Sequence, residues 1–409
     1  MRKRLRIISG VNPSEGGPIE GIRQQAPFHA AAGIEEHVVS LDPPDAPWVK
    51  NFPLKVFGMG EPIGSVPEWK RRLPWRRYGY RPALLPWLKA HVRDYDVVTV
   101  HGLWNYSTMA ARLALVGSGV PYLAQTHGML DPWFKHNFPV KAAGKQAFWL
   151  FNEGPLLNNA GFVLFTTEEE KILARESFGP YRVNERVIAY GTSDPGPFKP
   201  EQAEAFRAVA PGLKKPYLLF LSRIHRKKGC DLLIDAFADV CLGRDDIDLV
   251  MAGPVSDEYL AELKAQAARK GIGDRIHWPG LLRGDAKWGA FHQAEAFVLP
   301  SHQENFGIVV AEAMACSRPV LITNKVNIWR EVTASGGGLA ETDDLAGTAR
   351  CLARFLDMPP EARALMGERA REAFLRHFQV SQSAKDVNAA CLDAIAGRHS
   401  LHPANRSDS

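Results

Sequence analysis

The chain has 409 residues, of which 45% are hydrophobic and 23% charged, with a formal net charge of +5. That composition is typical of a soluble globular protein and excludes a disordered chain, and the charge permits anionic partners without demanding nucleic acid. The length is too great for one ordinary core and suits two domains of roughly 180–200 residues each.

No apolar run reaches the ~18 residues that a membrane span needs. Met1–Arg6 is basic, but the apolar run within and after it stops at Ser9–Gly10. That is too short for a signal-peptide core, so a cytoplasmic location is expected. The five cysteines (Cys230, Cys241, Cys316, Cys351 and Cys391) lie in the second half without CxxC spacing. They read as reduced, buried thiols, and no disulfide framework or zinc site is expected.

Short apolar runs, each followed by a helical pattern, read as buried parallel strands. In the first half they are Leu5–Ser9, His37–Leu41, Val97–His101, Tyr122–Thr126 and Phe162–Thr166. In the second half they are Tyr217–Ser222, Leu249–Ala252, Ile276–Trp278, Ala296–Pro300 and Pro319–Thr323. Strand–helix alternation repeated twice predicts two doubly wound α/β sheets. Five prolines between Gly191 and Pro216 mark a linker. The expected domains are 1–192 and 193–380, then a helix over 381–397 packing back on the first domain, and a frayed tail over 398–409. Ligands of such sheets bind beyond the carboxyl ends of the strands, so the loops that follow strands should carry the chemistry.

The loop after Tyr217–Ser222 holds Arg223, His225, Arg226, Lys227, Lys228 and Gly229. An arginine fork and a lysine ammonium match the charge of a diphosphate, and a solvated basic loop is the alternative. After Ala296–Pro300 come Glu304, Asn305, Phe306 and Gly307, then a helix Ile308–Cys316 that carries Glu312. Gly307 permits close backbone approach, and the amides of Phe306 to Val309 form a helix start suited to an anion. Glu312 lies among Val309, Val310, Ala313 and Met314, where an unpaired carboxylate is costly; ribose hydroxyls or a core arginine would satisfy it. For Glu304 the bland alternative is a surface charge.

The two glutamates with seven residues between them, NFG inside and AMAC after, resemble the signature of retaining GT-B glycosyltransferases of family 4. The loop Ser222–Arg223 to Lys228–Gly229 is similar to that family's diphosphate-binding segment. The resemblance covers nearly the whole chain, and the HGMLDPW string at His127–Trp133 is similar to bacterial members that build surface polysaccharides. It implies a GT-B fold, two facing Rossmann-like doubly wound domains with an interdomain cleft, and transfer from a nucleotide-diphosphate sugar. It also implies that Glu312 holds the ribose and that Arg223 and Lys228 neutralise the diphosphate. The amides of Phe306, Gly307 and Ile308 would meet sugar and phosphate, Glu304 would accept from sugar hydroxyls, and Leu281–Leu282 would border the base.

In the first half the resemblance places the paired Gly16–Gly17 opposite Arg223 and His127 near the donor sugar. Asp131, Trp133 and Trp104 are candidates for acceptor contact, and for the tryptophans core packing explains them equally well. Asp94–Tyr95–Asp96 and Asp246–Ile247–Asp248 could hold a metal, but both precede strands and read as strand-entry turns. The Arg–Lys pair takes over the electrostatic work, so neither metal nor cofactor beyond the nucleotide sugar is expected. Residues 69–81 interleave six cations with two tryptophans and two tyrosines, without an acid. An anionic membrane surface bearing a lipid-linked acceptor would suit them, as would nucleic acid, which is not expected, or simple packing. The rival functions are a nucleotide-sugar epimerase and a non-catalytic sugar-binding subunit; the intact Arg–Lys pair and both glutamates argue against the latter.

Overall fold

The computed structural model describes residues 1–13, 17–67, 73–132, 135 and 139–397. The chain falls into two compact units, one of Met1–Tyr190 with the chain from Val380, the other of Gly191–Gln379.

In the first unit β1 (Lys3–Ile7), β2 (Glu35–Ser40), β3 (Lys55–Gly58), β4 (Val97–His101), β5 (Tyr122–Gln125), β6 (Phe162–Phe165) and β7 (Glu185–Val187) form one sheet. All pairings are parallel, in the order β3-β2-β1-β4-β5-β6-β7, so strand order reverses between β1 and β4. Every residue of β4 is buried, as expected of a parallel strand covered on both faces. Helix α1 (Gly17–Ala31) and the C-terminal helix Val380–Ala396 belong to this unit. The buried face of the C-terminal helix (Val387, Ala390, Cys391, Ala394) joins Val97, Leu123, Leu164 and Ile188 in one apolar cluster. The tail from residue 398 lies outside the described residues.

In the second unit β8 (Tyr217–Leu221), β9 (Asp248–Ala252), β10 (Ile276–Gly280), β11 (Ala296–Leu299), β12 (Val320–Thr323) and β13 (Gly338–Glu341) pair in parallel. Their order is β10-β9-β8-β11-β12-β13, with the reversal between β8 and β11.

The ten expected strands are present, with ends moved by up to two residues. Three strands were not anticipated: β3, β7 and β13 all lie at sheet edges and are partly exposed, so they lack the fully apolar run of a central strand. The stretch 191–216 is no simple linker, because it contains the helix Pro200–Val209. Pro200 opens that helix at a position where a missing N–H costs nothing, and Phe206 is buried with its ring 5.6 Å from Tyr217. The five cysteines are buried free thiols.

Candidate active site

Both charged loops of the second unit leave the carboxyl ends of β8 and β11, the strands that flank its reversal. After β8, the His225 imidazole accepts from the Lys227 amide at 3.1 Å and starts a short turn over Arg226–Lys228. Gly229 closes the turn at φ 65°. A Cβ there would lie 2.0 Å from the Pro300 carbonyl oxygen, so glycine is what lets the basic loop sit on the end of β11. The Lys227 carbonyl then accepts from the His302 amide at 2.9 Å and the Ser301 hydroxyl at 3.1 Å. This stitching puts the Lys228 ammonium on the Glu304 carboxylate, with the two side chains only 11% and 24% exposed. Glu304 itself is fixed by its backbone: its amide donates to Lys325 at 2.9 Å and its carbonyl accepts from Asn327 at 3.0 Å.

Gly307, at φ 74°, caps the helix Ile308–Ala315. Phe306 is buried with its ring edge-on to Phe378 at 5.7 Å. Glu312 is buried one turn into this helix, and its Oε1 accepts from the Lys287 ammonium at 2.6 Å. The partner is thus a lysine from the helix Gly284–Gln293, not a core arginine. Leu282, just after β10, is buried, and Leu281 is exposed. Arg223 is exposed and forms no ion pair among the described residues, so its fork is free to meet an anion. With Ile224, Arg226 and Tyr259 it lines a cavity of about 550 Å³.

In the first unit, loops after β1, β4 and β5 carry the singled-out residues. Gly16 lies outside the described residues; Gly17 opens α1, and its carbonyl accepts from the Tyr190 hydroxyl. His101 ends β4 and is buried, while His127 follows β5, is half-buried and has a left-handed φ of 51°. Their rings meet, His101 Nδ1 to His127 Nε2, at 3.1 Å. Burial, followed by the nearby Arg6 cation, pushes the His127 pKa down to about 3.

Glu170 ties the loops after β5 and β6 together. One of its oxygens accepts from Thr126 Oγ1 at 3.0 Å and the Gly128 amide at 2.6 Å, the other from the Thr166 amide at 2.7 Å. Trp104, also left-handed at φ 68°, donates its amide to Glu153 Oε1 at 2.8 Å and its indole N–H to the Met129 carbonyl at 3.3 Å. Its ring packs against Phe178 at 5.1 Å and under the Lys145 ammonium at 4.6 Å, so packing accounts for it. Burial pushes the Glu153 pKa up to about 7. Asp131 is half-buried in the loop after β5, and Trp133 lies outside the described residues.

The Asp-x-Asp strings sit at the amino ends of strands, away from these loops. Asp96 accepts from the Lys3 amide at 3.0 Å, and Asp248 lies 3.0 Å from His277 Nε2. Of the basic stretch 69–81, residues 69–72 lie outside the described residues. Trp75 and Tyr80 are 53% and 45% exposed, and Arg76 is paired with Glu61 from an earlier segment, which removes one cation from the patch.

Residues 16–191 match the glycosyl transferase 4-like domain, and residues 201–373 match the family described as glycosyl transferases group 1. A D-inositol 3-phosphate glycosyltransferase of Xylanimonas cellulosilytica is 30% identical over 76% of this chain and 74% of its own. The lipopolysaccharide core biosynthesis mannosyltransferase LpsB of Rhizobium meliloti is 30% identical over 50% of this chain, and the match spans 59% of that enzyme. The structure of Anabaena Alr3699/HepE in complex with UDP and glucose superposes with a TM-score of 0.70 at 18% identity, covering 95% of this chain and 99% of that one. With two parallel sheets, the paired motifs at the second sheet's reversal and these matches, the chain belongs to the group 1 glycosyl transferases and has the GT-B fold.

Proposed function

We propose that this protein transfers a glycosyl unit from a nucleotide-diphosphate sugar to a saccharide or lipid-linked saccharide, with retention of configuration and without a divalent metal. The observation that carries the reading is that the loops after β8 and β11, which flank the sheet reversal, bear Arg223 and Lys228 on one and Glu304, Gly307 and Glu312 on and after the other, with Lys228 paired to Glu304. The UDP bound by HepE supports a nucleotide donor, and the lipopolysaccharide role of LpsB supports an acceptor in surface-polysaccharide synthesis.

In this reading the bond from the anomeric carbon to the diphosphate oxygen breaks as the acceptor oxygen bonds to the same face. The acceptor's proton passes to the leaving diphosphate, whose charge Arg223 and Lys228 stabilise. Those two cations supply the charge that a divalent metal would otherwise bring. Glu304 accepts from sugar hydroxyls and is not a nucleophile; a trapped glycosyl adduct on Glu304 would overturn this route. Exposed Trp75 and Tyr80, with the cations of 69–81, would hold the protein to the cytoplasmic face of an anionic membrane. Failure to sediment with anionic vesicles at low salt would remove that part.

The direct test is thermal stabilisation by UDP, GDP and their sugars in the absence of metal. One diphosphate should raise the melting temperature, and the rise should vanish in Arg223→Ala and Glu312→Ala. No rise with any of them would favour a non-catalytic chain.

A further inference from the structure

Beneath the first unit's loops lies a buried polar chain that begins on the central strands. Glu36 on β2, Arg6 on β1 and His101 on β4 are 5%, 2% and 2% exposed. The Arg6 guanidinium donates from Nε to Glu36 Oε1 at 3.0 Å and from Nη2 to Gln25 Oε1 at 3.4 Å. Its Nη1 faces His101 Nε2 at 3.3 Å. A guanidinium has five donors, no acceptor and stays charged, so the nitrogen it faces must offer a lone pair. The His101 proton is therefore on Nδ1, and that N–H points at His127 Nε2, 3.1 Å away.

The two ring planes are within 13° of each other and their centroids are 5.3 Å apart. Such a separation with so short an N···N distance requires rings lying edge to edge in nearly one plane, as an N–H···N bond demands, and not face to face. His127 Nε2 thus accepts, and its own proton is left on Nδ1.

We propose that Arg6 and His101 are positioning residues that lock His127 in its Nδ1–H tautomer, so that His127 meets its ligand as a hydrogen-bond donor and not as a base. A second proton on either imidazole would set N–H against N–H or a cation beside Arg6. Burial and then Arg6 push both imidazoles down, His127 to about 3, and His101 well below its ordinary value of 6.5. The backbone around His127 is held independently, since Glu170 takes the Gly128 amide and the Thr126 hydroxyl. Only the identity of what the N–H meets, an oxygen of the donor sugar, rests on the proposed function.

Long-range ¹H–¹⁵N correlation on histidine-labelled protein reads the tautomer without any ligand, with His127 assigned by the signal lost in His127→Asn. The expected wild-type pattern is a protonated Nδ1 and a bare Nε2, persisting from pH 8 to 5. His101→Leu should return His127 to the Nε2–H form that free histidine favours in water. His101→Asn should keep Nδ1–H, because the asparagine amide N–H stands where His101 Nδ1–H stood. An Nε2–H His127 in the wild type, or one unmoved by His101→Leu, would overturn the proposal.

Transfer from the nucleotide sugar separates the two layers. A kcat lowered at least tenfold in His101→Leu and recovered in His101→Asn supports the donor role of His127. A wild type with Nδ1–H that switches to Nε2–H in His101→Leu without any loss of transfer leaves the tautomer lock standing and overturns the contact with the sugar.

Discussion

Glu36→Gln isolates the charge that holds the centre of the first unit. The Glu36 side chain is 1% exposed and faces two guanidinium groups, Arg4 and Arg6, that are themselves 0% and 2% exposed. Its other oxygen lies 2.8 Å from His29 Nδ1. Glutamine keeps the shape but leaves two buried cations with no counter-charge, a loss of about 3–5 kcal/mol. At roughly 2–4 °C per kcal/mol for a unit of this size, the first unit's calorimetric transition should fall by about 6–20 °C.

Acid adds a second reading. Burial raises the Glu36 pKa, but Arg6 and Arg4 outweigh burial and hold it well below the ordinary value of 4.5. A carboxyl depressed in the folded state gives its full stabilisation above the unfolded value and loses it as pH falls towards the folded one. The gap between wild type and Glu36→Gln should therefore be widest at neutral pH and close progressively below about pH 4.5. Salt should leave it nearly unchanged, because buried pairs are poorly screened. A difference under ~1 kcal/mol at pH 7, or one that stays constant to pH 3, would refute the reasoning.

Gly229→Ala should cost at least about 2 kcal/mol and abolish the thermal response to nucleotide diphosphate, because left-handed strain adds to the clash with Pro300. Gly243→Ala, at φ 76° with nothing within 4 Å, should cost only about 1 kcal/mol and leave that response intact, as denaturant titration will show. For Glu153, burial raises the folded pKa to about 7. The folded state then holds its proton longer than the unfolded state, so stability should fall by about 2–3 kcal/mol between pH 5 and 7.5. Glu153→Gln should flatten that slope. Glu304→Gln should tighten UDP or GDP binding by up to about 1 kcal/mol, because Lys228 no longer has a carboxylate partner to leave. Glycosyl transfer by the same variant should drop at least roughly tenfold; weaker nucleotide binding in calorimetry would contradict the assignment.

The central strands and the two charged segments of the candidate donor site could be picked out because each rests on local pattern. An apolar run such as Val97–Val100 needs no partner to be recognised, and Arg223, Lys228, Glu304 and Glu312 lie in two short segments that follow such runs. What stayed hidden depends on neighbours distant in sequence. Lys287 stands 25 positions from Glu312, and the pairing appears only once their helices are packed. Glu170 reads in sequence as one of three acids opening a helix, which the helix dipole explains without remainder. Its turn inwards to the loop after β5 has no local signature. In Lys3–Ile7, charge alternates with Leu5 and Ile7 as in a half-exposed strand, but Arg4 and Arg6 are buried because β1 is central and helices cover both faces. Position in the sheet, not composition, buries both arginines and turns Arg6 into part of the His127 support.

The candidate donor loops show how such charges are accommodated in the folded chain. A part-buried ammonium or carboxylate without a partner would oppose folding of the loops that carry it. Lys228 is matched by Glu304 and Glu312 by Lys287, so each of these part-buried charges has an opposite charge beside it. Arg223, in contrast, is exposed and can wait in water at little cost. On the proposed reading a diphosphate would first meet Arg223, then draw Lys228 from Glu304. Glu304 would be released to accept from sugar hydroxyls at the moment the leaving group becomes neutralised. Nucleotide binding and sugar orientation would thereby be linked through one lysine, which is why the two readouts of Glu304→Gln should move in opposite directions.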